Sequence, residues 1–311
     1  MEEFKLGTYI KKHREELGMS QEDLCGGLCA VSTLSRIENN QQDPSRRLTM
    51  SLLERLGLPR DKFIAFWGQR DISAGALMRE ILNNMVQHRR ASKEDQLLIR
   101  EETLEKLAKL ESVADPDNRS VQQFLLMHRA RLEPCSIDER LAMQLEAIRL
   151  TCPNFAPENF QQGRYTMNES RLINQIACTY LDAGQGKRAI DIYRQLLRYV
   201  EKNCRDLTNY ANLFCLIAHN YAIALSVENC HSEAVEIAEQ GRKTCIYYGA
   251  YQFLPGFLAI QAENLYFMGE EDASRKLYFR AYYLYDAFED ETNREDMRRE
   301  MKTHLGIDMT E

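Results

Sequence analysis

A chain of 311 residues with 44% hydrophobic and 28% charged side chains has the profile of a folded protein of about two domains, and it is neither a disordered nor a low-complexity sequence. The net charge of −7 is uneven: residues 1–70 carry 11 Lys and Arg against 10 Asp and Glu, while residues 71–311 carry 29 against 37. That balance argues against indiscriminate nucleic-acid binding and leaves room for a local contact in the N-terminal part. No apolar run reaches about eighteen residues, so no membrane span is expected. The acidic start, Met1 to Lys5, lacks the apolar core of a signal peptide, and a cytoplasmic protein is expected. Nine Cys, an odd number with no Cys-x-x-Cys pair, read as small buried hydrophobes rather than as a disulfide framework or a metal site.

Residues 5–17 form an amphipathic helix with Leu6, Ile10 and Leu17 inward and Lys11, Lys12 and Arg14 on the polar side. Ser20 is an N-cap for the next helix, with Glu22 and Asp23 at its positive end. Leu24 and Leu28 share a face, and Gly26, Gly27, Cys29 and Ala30 keep the following turn compact. Ser32 is placed as the cap of a third helix that turns Val31, Leu34 and Ile37 inward. Thr33, Ser35 and Arg36 are left facing out. Small hydroxyls and an arginine on one exposed helix face suit base edges and phosphates in a major groove. Gln21, at a helix start where backbone N–H groups and a side-chain amide can together hold a phosphate, is either such a contact or a solvated amide. A polar loop, Asn39 to Pro44, leads to Ser45 as the cap of a fourth helix carrying Arg46 and Arg47 at its start and Leu48, Leu52, Leu53 and Leu56 on its apolar side. Residues 60–67 read as a short fifth helix, whose Phe63, Phe66 and Trp67 serve packing rather than base stacking.

These residues carry a family resemblance. Residues 5–66 resemble the phage-repressor (Xre-type) helix-turn-helix domain: Leu6 to Gln21 matches its first helix and the start of its second, Ser32 to Asn39 its recognition helix, and Asp43-Pro44-Ser45 the turn before its fourth helix. The segment between Leu24 and Ser35 is one residue shorter than the commonest form, which is similar to the peptide-pheromone regulators of the Rgg/PlcR type. The resemblance implies that Arg14 pairs with Glu38, the glutamate ending the recognition helix. It also implies a DNA-contact set of Gln21, Ser32, Thr33, Ser35, Arg36, Asn40 and Arg46.

From Ile72 onward every periodic segment is helical. Helices are expected over 73–89, 93–113, about 119–132 and 136–150, with a break at Asp115-Pro116-Asp117-Asn118. A repeat follows. The stretches starting at Ile176, Tyr221 and Gln261 each have a small residue at the second position (Ala177, Ala222, Ala262) and a large one at the fifth (Tyr180, Leu225, Leu265). The ninth position holds Gly184, Asn229 or Gly269, and the fourteenth Ala189, Ala234 or Ser274. Small residues let paired helices approach closely, and Gly or Asn tolerates the left-handed turn between them. This resembles the tetratricopeptide repeat with longer helices, since the copies lie 45 and 40 residues apart rather than about 34. About five helix pairs are expected over 71–288, followed by a capping helix at about 292–305.

In such a stack the first helix of each pair lines an inner face, where amides can satisfy the backbone of an extended peptide. By register the candidates are Arg171, Asn174 and Cys178, then Asn212, His219, Asn220 and Ile223, then Glu263. Arg171 either receives a peptide carboxylate or remains a solvated charge, and His219 alone is more often a packed histidine than a ligand. A repressor-type head followed by degenerate repeats resembles the RRNPP group of quorum-sensing regulators. That resemblance implies a transcription factor whose homodimer binds a double-stranded DNA operator and responds to a short signalling peptide, with no membrane partner, cofactor or metal. The alternative is a regulator whose repeats bind a protein partner or only dimerise. No paired carboxylate, nucleophile–base pair or phosphate loop points to an enzyme; Gly184-Gln185-Gly186 follows a helix, not a strand. The expected fold is all-α: a five-helix repressor-type domain (1–70), a right-handed repeat solenoid (71–288) and a capping helix with tail (289–311).

Overall fold

Four short helices gather the N-terminal apolar positions into one core. The structure, a computed structural model, describes residues 5–58, 69–88, 93–114, 116–160, 163–203 and 207–309. Among the described residues there are fifteen α-helices and one 3-10 turn, and no strand. The chain packs as two compact units, Met1–Ile176 and Ala177–Glu311.

In the first unit, α1 (Leu6–Glu16), α2 (Gln21–Cys25), α3 (Val31–Glu38) and α4 (Arg46–Arg55) form the helix-turn-helix head. Ile10, Leu24, Leu34, Ile37, Leu52, Leu53 and Leu56 close its core. Ser20 caps α2 through a reciprocal box: its hydroxyl accepts the Asp23 N–H at 3.0 Å, and the Asp23 carboxylate accepts the Ser20 N–H at 3.0 Å. Two expectations for α3 are corrected. Its N-cap is Ala30, extended and without a side-chain cap, so Ser32 stands inside the first turn. Val31 is 39% exposed rather than inward, because it sits ahead of the Leu34–Ile37 stripe that fills the core. The fifth helix expected at 60–67, with Phe63, Phe66 and Trp67, lies outside the described residues.

Behind the head come α5 (Gln69–His88), α6 (Lys93–Val113), α7 (Arg119–Leu132) and α8 (Ile137–Thr151), close to the boundaries read from periodicity, and then α9 (Met167–Asp182). Arg55, at the end of α4, fastens the head to them. Its Nη1 donates to the carbonyls of Leu24 (3.1 Å) and Gly26 (2.6 Å), and its Nη2 to the Thr151 carbonyl (3.1 Å) and to Glu169 Oε1 (3.1 Å). Glu169 also accepts the Thr166 N–H at 2.6 Å, and Glu54 accepts the Met167 N–H at 2.9 Å. Two otherwise orphaned donors at the start of α9 are thereby satisfied, one of them by the head.

The turn after α2 presses on the same place. Gly27 has φ +73°, and a Cβ there would lie 1.8 Å from the Thr151 carbonyl oxygen. Gly27→Ala is therefore expected to destabilise the first unit by at least about 1–3 kcal/mol from backbone strain alone. Urea unfolding would measure it, with Gly26→Ala as the comparison: a Cβ at Gly26 meets only the Glu22 carbonyl, at 3.1 Å. Equal midpoints for the two variants would contradict the contact.

The second unit continues with α10 (Gly186–Asn203), α11 (Leu207–Val227), α12 (His231–Tyr248), a 3-10 turn at Tyr251–Phe253, α13 (Leu254–Phe267), α14 (Glu271–Ala287) and α15 (Glu291–Leu305). In chain order α5–α6, α7–α8, α9–α10, α11–α12 and α13–α14 match the five expected pairs, with α15 as the final helix. The repeat positions behave as their chemistry dictates. Gly184, Asn229 and Gly269 all take positive φ, at +71°, +59° and +82°. Ala177, Ala189, Ala222, Ala234, Ala262 and Ser274 are all fully buried where the paired helices approach. Tyr278 and Ala281 continue that buried line on α14. The helices are long, with 18 residues in α10 and 21 in α11, which accounts for the stretched repeat. The segment Tyr210–Val227 of α11 is apolar enough to cross a membrane by length and composition, with mean hydropathy 1.3; 61% of it is buried, packed by α10, α12 and α13.

Candidate functional site

The head presents a fixed recognition helix. Arg14 is 8% exposed and Glu38 3%, and they form the expected bidentate pair: Nε to Oε1 at 2.6 Å and Nη2 to Oε2 at 2.9 Å. A third bond runs from Arg14 Nη1 to the Met19 carbonyl at 2.9 Å. Gln21 donates from Nε2 to Glu38 Oε2 at 2.7 Å, so its amide is oriented by the same carboxylate while the residue stays half-buried at the start of α2. The core-facing side of α3 is thus tied to both α1 and α2.

On the opposite side, Ser32 and Arg36 are exposed and Thr33 and Ser35 half-buried. These four are brought onto one solvent-facing side of an eight-residue helix, the geometry needed for groove contact. Asn40 ends that helix in the left-handed conformation, φ +55°, and its Nδ2 donates to Thr8 Oγ1 at 2.8 Å. Arg46 opens α4, and its side chain lies outside the described residues. Arg47 instead reaches the Met78 sulfur on α5.

In the repeats, the predicted residues fall in both units. Arg171 is half-buried on α9 and Asn174 is 4% exposed. In the second unit, α11 lies beside α13 and the 3-10 turn that precedes it, and meets them in three rungs. Asn212 is exposed and accepts from Gln252 Nε2 at 2.6 Å. The His219 ring lies edge-on to Phe257 at 5.7 Å, in the space that Gly256 leaves; a Cβ at Gly256 would lie 2.6 Å from His219 Nε2. Ser226 donates to Glu263 Oε2 at 3.2 Å. Positions 212, 219 and 226 are seven apart, two helical turns, and so share a face. Asn220 donates to the Cys178 sulfur at 3.6 Å, and that sulfur lies 3.0 Å from the Tyr193 hydroxyl. Ile223 is half-buried on the same helix.

Burial lowers the His219 pKa, so this ring is neutral and packed. Beside Glu263, burial and the Glu263 charge push the Glu300 carboxyl up to about 7. Sequence reasoning missed Gln252, Ser226 and Glu300. Ser226 was accessible, being one turn beyond Ile223, whereas Gln252 and Glu300 come from elements outside the repeat register. The described cysteines form no disulfide among themselves, and burial pushes the thiols of Cys29, Cys215 and Cys245 up to about 11, 12 and 11. Among the described residues no group of His, Cys, Asp and Glu is arranged to hold a metal.

Together these features define a helix-turn-helix protein with a helical-repeat body. Residues 10–63 match the helix-turn-helix family. Among solved structures the chain is similar to Bacillus thuringiensis PlcR in complex with the peptide PapR7 and DNA, at 19% identity and TM-score 0.60 over 94% of this chain and 98% of that one. It is also similar to the apo form of the competence regulator ComR from Streptococcus vestibularis, at 16% identity and TM-score 0.53 over 96% and 98%. ComR from the same organism in complex with its cognate signalling peptide XIP matches at 16% identity and TM-score 0.51, over 97% and 99%. No curated protein sequence matches significantly. The chain therefore has a helix-turn-helix domain, and its fold from end to end is that of these regulators.

Proposed function

We propose that this protein is a sequence-specific DNA-binding transcriptional regulator that works as a homodimer, and that its repeats bind a short signalling peptide which changes the dimer's DNA-binding state. One observation carries this reading: a head whose recognition face is left open (Ser32 and Arg36 exposed) is joined in one chain to a first-helix face built of amides and small polar groups. The end-to-end similarity to PlcR, solved with a peptide and DNA, supports it. Residues 1–70 form the DNA-binding part, 71–288 the peptide-binding and dimerising part, and 289–311 the capping helix and tail. The reading assigns no catalytic step and places the protein in the cytoplasm.

In the head, Thr33, Ser35 and Arg36 read base edges, with Ser32, Asn40, Gln21 and Arg46 on the backbone. In the second unit, Asn212 and Asn220 hold peptide amides and Glu263 a cationic group, with Cys178, His219 and Ile223 shaping the wall; Arg171 and Asn174 are the candidates on α9 in the first unit, where Asn174 is buried. The peptide acts by population shift: it binds one dimer arrangement more tightly than another and so changes half-site spacing. Sedimentation and operator-probe binding of the full-length protein, with and without short peptides encoded beside its gene, test this. A change with one peptide is the expected result; a dimer that binds DNA identically throughout contradicts the sensing half. Arg36→Ala is expected to weaken specific operator binding by about 1–3 kcal/mol with helicity unchanged. Loss of folding would instead make Arg36 structural.

A further inference from the structure

We infer that the outer face of α14 is a self-recognition surface, on which a second copy of this chain packs its own α14 antiparallel about a two-fold axis. The inference locates the homodimer contact and rests on that part of the proposed function. Ser274, Tyr278 and Ala281 bury one side of the helix, which packs between α13 and α15. The opposite side carries Asp272, Lys276, Phe279, Tyr283 and Asp286. Steps of four, three, four and three residues are those of a coiled-coil seam, in which every side chain faces one partner helix. Lys276, Tyr283 and Asp286 are exposed, Tyr283 at 58%, and Phe279 is half-buried. The Phe279 and Tyr283 rings stack at 6.5 Å with their planes 19° apart, which gives the seam an aromatic centre.

The order of charges along the seam says what covers it. From Lys276 to Asp286 it runs cation, aromatic, aromatic, anion, and reversed it is its own complement. With the axis passing near residue 281, Lys276 meets Asp286 of the second copy and Phe279 meets Tyr283 of the second copy, and each contact occurs twice. A parallel pairing would instead set lysine against lysine and aspartate against aspartate. Within one helix Lys276 and Asp286 lie about 15 Å apart along the axis, too far to pair with each other. Lys276 makes no ion pair among the described residues. Asp286 accepts from Arg294 at 2.5 Å through Oδ1, which leaves Oδ2 for a lysine. Asp272 would lie opposite Asp290, so the favourable stretch ends there. That stretch is short beside the usual interface of about 800 Å² per partner. The seam therefore fixes the orientation of the dimer without supplying all of its area.

Sedimentation equilibrium of the full-length protein over a range of concentrations tests this. Lys276→Asp and Asp286→Lys are each expected to raise the dimer dissociation constant by about tenfold or more, because each sets like charges together at both ends of the seam. An equimolar mixture of the two variants is expected to dimerise more tightly than either alone, since each supplies the charge that the other lacks. Tyr283→Ala is expected to weaken the dimer, with no recovery on mixing with either variant. Circular dichroism confirms that each variant is folded. A wild-type protein that stays monomeric at every concentration overturns the homodimer reading and this inference with it. A dimer unmoved by both charge reversals, or a mixture no tighter than its components, overturns the α14 face alone and leaves the homodimer reading standing.

Discussion

Arg55→Ala is expected to destabilise the protein by about 3–5 kcal/mol, the cost of leaving a buried charge without its partner. The side chains of Arg55 and Glu169 are 3% and 0% exposed. Removing the guanidinium abandons more than one carboxylate: the carbonyls of Leu24, Gly26 and Thr151 lose their donor in the same step. Burial opposes ionisation of Glu169, yet the Arg55 charge, the Thr151 hydroxyl, the Thr166 N–H and the Cys152 thiol outweigh it and hold the carboxyl below its usual range. The sign of the pH dependence follows. A carboxyl with a depressed folded pKa contributes stability above its unfolded value, near the usual 4.5, and loses it as pH falls through the folded value. The wild type should therefore lose stability as pH falls below about 4.5, and Arg55→Ala should lose less over that window because its contribution is already gone. Urea unfolding at neutral pH and across the acid limb measures both. A neutral-pH loss under about 1 kcal/mol would mean that the pair is worth no more than an exposed one. Replacing both partners by apolar residues of similar volume should restore much of the stability, since such swaps are often neutral.

The contrast between this pair and the rest of the fold explains what the sequence could disclose. Helix boundaries were legible because periodicity and caps are local: Ser20 with Asp23, Ser45 with Leu48, and Asn118 with Val121 each act within three residues. The repeat was legible because a left-handed turn and a close helix contact admit few residue types, so Gly184, Asn229 and Gly269 recur beside Ala189, Ala234 and Ser274. Arg14 with Glu38 was legible only through family resemblance. Arg55 with Glu169 was not legible at all. The two are separated by 114 residues, each is an ordinary charged side chain in an ordinary helix, and only packing makes them unique. The cap of α3 misled for the opposite reason: Ser32 has the chemistry of an N-cap, but tertiary packing starts the helix at Val31, with Ala30 in the extended cap position. In the repeats, register found Asn212 and His219 on the α11 side of two rungs and Glu263 on the α13 side of the third, while Gln252, from the 3-10 turn, has no register to follow.

Arg14→Ala is expected to unfold the head while the second unit stays folded. The same physics applies as at Arg55, about 3–5 kcal/mol for stranding a buried carboxylate, but here the loss falls on a core closed by about ten side chains. Glu38 would keep only the Gln21 amide, at 2.7 Å, and the Met19 carbonyl would lose its donor from Arg14 Nη1. A domain of this size has little stability to spare. The consequence for function is specific. Glu38 is the last residue of the recognition helix, and the bond from Gln21 ties the start of α2 to it. The Arg14–Glu38–Gln21 chain therefore sets the angle between the two helices that would grip DNA. Arg14→Lys separates stability from orientation. A lysine can keep one charge-assisted bond to Glu38 but cannot span both carboxylate oxygens, so it should retain part of the stability and still lose operator affinity. The measurements are paired: operator binding by fluorescence anisotropy, and backbone amide exchange in α1–α3 against that in α11–α14. Arg14→Ala should abolish binding and raise exchange in the head alone. Wild-type exchange in α1–α3 of that variant would show that Glu38 finds another partner, and the pair would then be a surface feature rather than the keystone of the head.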